Sequence, residues 1–133
     1  MGHPVLQCES IIYICATSQV ERFLKELSAA EVAKFQAAAR IAATSIVTGR
    51  PPADRWQKVR GTRGPLFELK ITAPGSGGPQ LRLICARKGN QVLLLRGVRK
   101  KSSALSRSEI NTAERALGST TEGEDEPLER KRR

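Results

Sequence analysis

The spacing of apolar residues changes from a helical to a strand period between Gly49 and Pro65, and that change dictates the fold class. Before it, Val20, Phe23, Leu24 and Leu27 recur at helical intervals, as do Val32, Phe35, Ala39, Ala42 and Ile46. Each set makes one apolar stripe along a helix. After it, Phe67, Leu69 and Ile71 alternate with Glu68, Lys70 and Thr72, the period of a strand with one apolar face. Neither a stripe nor a face is stable until another element covers it, so the chain reads as α+β. The expected architecture is a small antiparallel sheet packed against an N-terminal helical hairpin and a C-terminal helix.

Local signals place the boundaries. Ser18 with Glu21, Ser28 with Glu31 and Ser106 with Glu109 have the spacing of capping boxes, each opening a helix. Gly49, followed by Pro51 and Pro52, ends the second helix, and Gly118 is the expected end of the last, which carries Ile110, Ala113 and Leu117 on one side. "SIIYICA", Ser10 to Ala16, reads as the first strand, and the segment holding His3 as a frayed terminus. Leu81 to Ala86 forms a strand with Arg82 on its non-core side. "RKGN", Arg87 to Asn90, makes a hairpin turn, and Val92 to Leu95, apolar on both faces, reads as a central strand. The Gly/Pro/Ser segment Ala73 to Gln80 is a loop, without the Lys-Ser/Thr ending of a phosphate-cradling loop. Residues 1–118 thus form one domain, and 119–133, with Leu128 as the one large apolar residue, a disordered charged tail.

The net charge of +10 is concentrated. Basic and acidic side chains balance up to Asp54, whereas residues 55–101 hold twelve Lys and Arg against Glu68 alone. A field gathered in one region captures polyanions, so a phosphate-rich partner is expected. Arg96, Arg99, Lys100 and Lys101 crowd the end of the last strand, where a basic turn is expected. Cys8, Cys15 and Cys85 lack metal-ligand spacing and read as buried thiols of a cytoplasmic protein. No apolar run is long enough to span a membrane, and no metal or other cofactor is expected.

Three stretches, "VRGTRGPLFELKI" (Val59 to Ile71), "QLRLICA" (Gln80 to Ala86) and "VLLLRGVRKKSSALSRSEINTAERAL" (Val92 to Leu117), resemble the RelE/HigB superfamily of toxins from bacterial toxin–antitoxin pairs, particularly its phage-derived, HigB-like branch. The "RKKS" followed by "EI" and "AER" is the most specific part. Phe67, Lys70, Leu81 and Val98 stand where that branch would carry Trp or Tyr, Arg, Tyr and Phe.

The resemblance implies a RelE-like fold, cleavage of mRNA on the ribosome, and a helix-turn-helix, HigA-like antitoxin through which DNA would be contacted only indirectly. Metal-free RNA cleavage uses the 2′-OH as nucleophile, so its proton must be removed and charge on the phosphorane stabilised. Arg82 and Lys70 match the family's active-site cations, and Lys70 or Glu68 is the candidate base. Lys58, Arg60, Arg63, Arg87, Arg96, Arg99, Lys100 and Lys101 are the candidates for RNA and ribosome binding. No Tyr, His or Asp occurs between Val92 and Leu117, where many relatives keep an acid or base, and Tyr13 reads as core. Two alternatives follow: a non-catalytic RNA- or ribosome-binding module, and a ParE-like gyrase inhibitor.

Overall fold

A computed structural model describes residues 3–49, 56–59, 66–72, 80–100 and 106–125, with backbone alone at 56, 57, 72, 80, 100 and 119–125. Six strands form one sheet: β1 (His3–Cys8), β2 (Ile11–Cys15), β3 (Trp56–Lys58), β4 (Leu66–Thr72), β5 (Gln80–Lys88) and β6 (Gln91–Lys100), in the order β1-β2-β6-β5-β4-β3. Three helices complete the chain: α1 (Ser18–Lys25), α2 (Ala29–Thr48) and α3 (Arg107–Asp125).

The α+β expectation holds, and four details of it are corrected. The terminus expected to fray is the edge strand β1, tied down because it pairs with β2 and buries Cys8. The sheet is mixed: β2 runs parallel to β6, while β3 to β6 pair antiparallel. Apolar alternation reveals a strand and its faces but not its neighbour, so the sequence could not show this pairing. The expected helical hairpin is two helices lying separately on the sheet, α1 chiefly on β6 and α2 chiefly on β4. Finally, α3 continues through Gly118 to Asp125.

Each face of the sheet buries its own cluster. Tyr13, Phe35, Ala39, Ala42, Leu69, Leu83 and Leu94 pack beneath α1 and α2; Leu66, Ile84, Ala86, Leu93, Leu95, Ile110 and Ala113 pack beneath α3. The many alanines of α2 let its backbone approach closely enough for the Tyr13 hydroxyl to donate to the Ala39 carbonyl at 2.6 Å.

The caps largely follow the sequence. Ser28 and Glu31 close their box, Gly49 takes the left-handed conformation that ends α2 (φ 72), and Ser106 and Glu109 close the third box. At α1 the cap moves back one residue, from Ser18 to Thr17. The Thr17 hydroxyl accepts from the Val20 amide at 3.1 Å and donates to the Leu95 carbonyl at 3.2 Å, so this one side chain starts the helix and binds it to β6. Gln19 repeats the link two residues on. Its amide nitrogen donates to the Gly97 carbonyl and its amide oxygen accepts from the Gly97 amide, both at 2.8 Å, extending the role of β2 after that strand has ended.

Candidate functional site

A single irregularity in β6 assembles the charged part of the sheet. Leu94 lies opposite Cys85 but Arg96 lies opposite Ile84, so Leu95 is an extra residue, a β-bulge. In a strict alternation Arg96 would point toward α1. The bulge shifts the parity of everything after it, because a slip of one residue exchanges the two faces of a strand. Arg96 and Val98 thereby join the α3 side, whereas Gly97 and Arg99 turn toward α1 and α2.

On the α3 side the register places Lys70, Arg82 and Val98 in one row and Glu68, Ile84 and Arg96 in the next. The apolar cluster under α3 reaches as far as Ile84. Beyond it, among the described residues, the same face carries Lys70, Arg82 and Arg96 with one carboxylate, Glu68.

Depth separates these groups. Arg82 is only 1 % exposed, the largest fully buried side chain among the described residues, and its guanidinium donates to the Glu68 carboxylate, itself 7 % exposed. Lys70 and Arg96 are half-buried. Neither forms an ion pair with any described residue, and the buried Nε of Arg96 meets no hydrogen-bond partner among them. Arg82, expected on the non-core side of its strand as a phosphate-stabilising cation, lies inside, with its charge matched by Glu68.

The other candidates are dispersed. Arg99 is held by Glu31, with contacts of 2.9 and 3.4 Å, on the face beneath α1 and α2. The Arg99 guanidinium and the Ser28 amide hold the Glu31 carboxyl down at about 2. Lys58 is exposed opposite Phe67, on that same face, and Arg87 is exposed near the hairpin turn, donating from Nε to the Gly89 carbonyl at 2.8 Å. The strand continues to Lys100, so the basic turn expected from Gly97 onward is mostly strand. Arg60, Arg63, Lys101 and the loop segment 73–79 lie outside the described residues.

Sequence reasoning missed Glu31 and Gln19 as partners of β6. The signal for the bulge was Gly97, since glycine inside a strand often marks one. Tyr13 is core, fully buried edge-on to Phe35, and burial pushes its hydroxyl far above the ordinary tyrosine range. The three cysteines are free and buried, and burial raises each thiol, which disfavours the reactive thiolate. Among the described residues no group of His, Cys, Asp or Glu side chains could hold a metal ion. A separate groove of about 260 Å³, lined by Val5, Leu6, Leu24, Leu27, Val32 and Phe35, lies under the opposite face and is mainly apolar. Among the described residues no helix is long and apolar enough to cross a membrane.

No curated protein matches this chain. A family description does match it: the family of the phage-derived protein Gp49-like (DUF891), over residues 22–118, a span that runs from α1 into α3 and contains Glu68, Lys70, Arg82 and Arg96. By that match the chain belongs to the Gp49-like phage-derived family, a RelE/toxin-like family of toxin–antitoxin systems.

Proposed function

We propose that this chain is the toxin of a type II toxin–antitoxin pair and acts as a ribosome-dependent mRNA endoribonuclease, arresting translation and growth until a helix-turn-helix antitoxin of the HigA kind covers it. The observation that carries the reading is the charged half of the α3 face. Lys70 and Arg96 stand half-exposed there without ion-pair partners among the described residues, over the buried Arg82–Glu68 pair. A phosphodiester carries one negative charge and gains another as the 2′-oxygen adds to phosphorus. Cations already fixed in a partly desolvated site stabilise that change more than water does. Lys70 is the accessible candidate for proton transfer and Arg96 for gripping a non-bridging oxygen with its planar fork.

The test is cleavage of a translated message by wild-type protein and Lys70→Ala, with and without ribosomes, mapping new 5′ ends. Ribosome-dependent cuts that disappear in Lys70→Ala support the assignment. If the wild-type protein binds ribosomes and makes no cuts, the nuclease reading is wrong.

One observation favours a second reading, a non-catalytic RNA- or ribosome-binding module. Tyr13 is enclosed in the core, and Arg82 and Glu68 are both buried, so the accessible acid–base inventory of the site is small. The same assay separates the two readings, because an occupancy inhibitor blocks translation without new 5′ ends. A ParE-like gyrase inhibitor would instead act on DNA supercoiling with no ribosome present.

A further inference from the structure

Among the described residues, the one carboxylate on the charged half of the α3 face is bound to the most buried cation there. Glu68 and Arg82 occupy diagonal positions on neighbouring strands, because Glu68 lies opposite Ile84 and Arg82 lies opposite Lys70. Glu68 could instead have paired with Lys70, two residues away on its own strand, or with Arg96, in its own row. Either pairing would have neutralised a cation that a ligand can reach. The Arg82 pairing leaves both half-exposed cations without a carboxylate among the described residues.

Burial explains the choice. A charged guanidinium that is 1 % exposed is costly unless paired, whereas half-exposed Lys70 and Arg96 keep part of their hydration. Once fixed, Arg82 forms a neutralised pair with Glu68 and no longer competes with its neighbours for an anion. Side chains directly opposite across antiparallel strands stand about 5 Å apart at Cβ, so Lys70 lies beside the pinned Arg82 and keeps its own charge for a ligand. Arg96, one row on, does the same.

We propose that Glu68 is a positioning residue: by pinning Arg82 within the sheet it leaves Lys70 and Arg96 as the pair that meets a phosphodiester from outside. This rests on the RNA-cleaving reading for its substrate. It reassigns two residues of that site: Glu68 is not the base that takes the 2′-OH proton, and Arg82 shapes the site from beneath without touching the RNA. Substituting Glu68 with Gln removes the countercharge but keeps the shape. Arg82 then loses the carboxylate that draws it inward and can turn toward the phosphate, and the geometry of Lys70 and Arg96 is lost while the total positive charge increases.

Two measurements on the full chain test this. In the first, side-chain nitrogen resonances are followed by NMR while a 2′-O-methyl RNA oligonucleotide, which cannot be cleaved, is titrated in. In wild-type protein the Lys70 and Arg96 signals shift and the Arg82 signal stays; in Glu68→Gln the Arg82 signal shifts as well. In the second, cleavage kinetics are compared across pH. Misplacement on the ångström scale costs about 100-fold in turnover, so kcat of Glu68→Gln falls by that order. Its KM changes by less than about threefold, since charge for binding is not lost. Its pH profile keeps the wild-type shape.

An Arg82 signal that shifts with RNA in wild-type protein overturns the proposal, as does a Glu68→Gln variant with wild-type turnover. So does loss of the acid limb of the pH profile in Glu68→Gln, which would mark Glu68 as the base. If wild-type protein cuts no RNA, the nuclease reading fails and the NMR titration still decides which cations meet the phosphate. Should Glu68→Gln not fold, the Glu68→Met/Arg82→Met double variant removes the pair without leaving a buried charge. It is expected to fold with the Lys70 and Arg96 shifts diminished, and undiminished shifts would refute the positioning role.

Discussion

Arg82 illustrates how a residue can look like a surface cation in sequence and be a core residue in the fold. Its position on the non-apolar side of β5 was legible, but that side is itself buried, which alternation cannot reveal. Replacing it with Ala would strand the Glu68 carboxylate in the interior, and breaking a buried pair from one side typically costs about 3–5 kcal/mol. Arg82→Ala is therefore expected to lower the urea midpoint markedly, so loss of activity in that variant alone would say little about chemistry. The Glu68→Met/Arg82→Met variant should recover most of the stability, and a double variant no more stable than Arg82→Ala would show that the pair is not the source of the loss. Gly97 poses the opposite problem, of space. The Phe23 ring of α1 lies where a Cβ on Gly97 would stand, and Gln19 holds both backbone polar groups of Gly97. Gly97→Ala should force the ring and α1 away from β6, at about 1–3 kcal/mol, the usual range for overpacking. Combining it with Phe23→Leu should return part of that loss in thermal unfolding, and strict additivity of the two changes would contradict the close approach.

The contact between α2 and β6 depends on Glu31, which closes the capping box at Ser28 and accepts both nitrogens of Arg99. Its folded carboxyl is lowered from 4.5 to about 2, so the protonated form is disfavoured in the native protein more than in the unfolded chain. The stabilisation this supplies is complete above the ordinary carboxylate range and is lost as pH falls from 4.5 toward about 2. Glu31→Gln should flatten the decline of stability in that window, measured as urea midpoint against pH. An unchanged slope would mean that other carboxylates carry the acid sensitivity. Much of this element structure was legible. Ser28, Glu31, Gly49, Ser106 and Glu109 marked their helix ends because caps are local, decided within four residues of sequence. The β2–β6 pairing, the Arg99–Glu31 contact across 68 positions and the Arg82–Glu68 pair across 14 were not, because each depends on which strands and helices come together. The bulge at Leu95 is intermediate: Gly97 hinted at an irregular strand, but only the pairing with β5 shows that it sends Arg96 to the α3 side and Arg99 to the side of α1 and α2 rather than the reverse.

At the scale of the whole molecule, the concentration of positive charge between Arg55 and Lys101 is continuous in sequence but divided in space. The sheet distributes it over two surfaces: Lys70 and Arg96 on the α3 side, Lys58 and Arg99 on the side of α1 and α2. A diffuse polycation and a built site then respond differently to salt. Each phosphate neutralised on a single strand contributes about 0.7 to the slope of log affinity against log salt. If RNA lies along the α3 side, Lys70→Ala and Arg96→Ala should each lower that slope by about 0.7, one contact per residue. Lys58→Ala removes the same formal charge from the other side of the sheet and should leave the slope nearly unchanged, since exposed charges beyond about 10 Å are screened at ordinary ionic strength. Fluorescence anisotropy with a short RNA across a salt series measures all three. Equal loss of slope in every variant would mean that net charge alone attracts the RNA, and that the bulge, the buried pair and the parity of β6 have no part in binding it. Unequal loss, in the order given by the two faces, would tie the polyanion signal in the sequence to one side of one sheet.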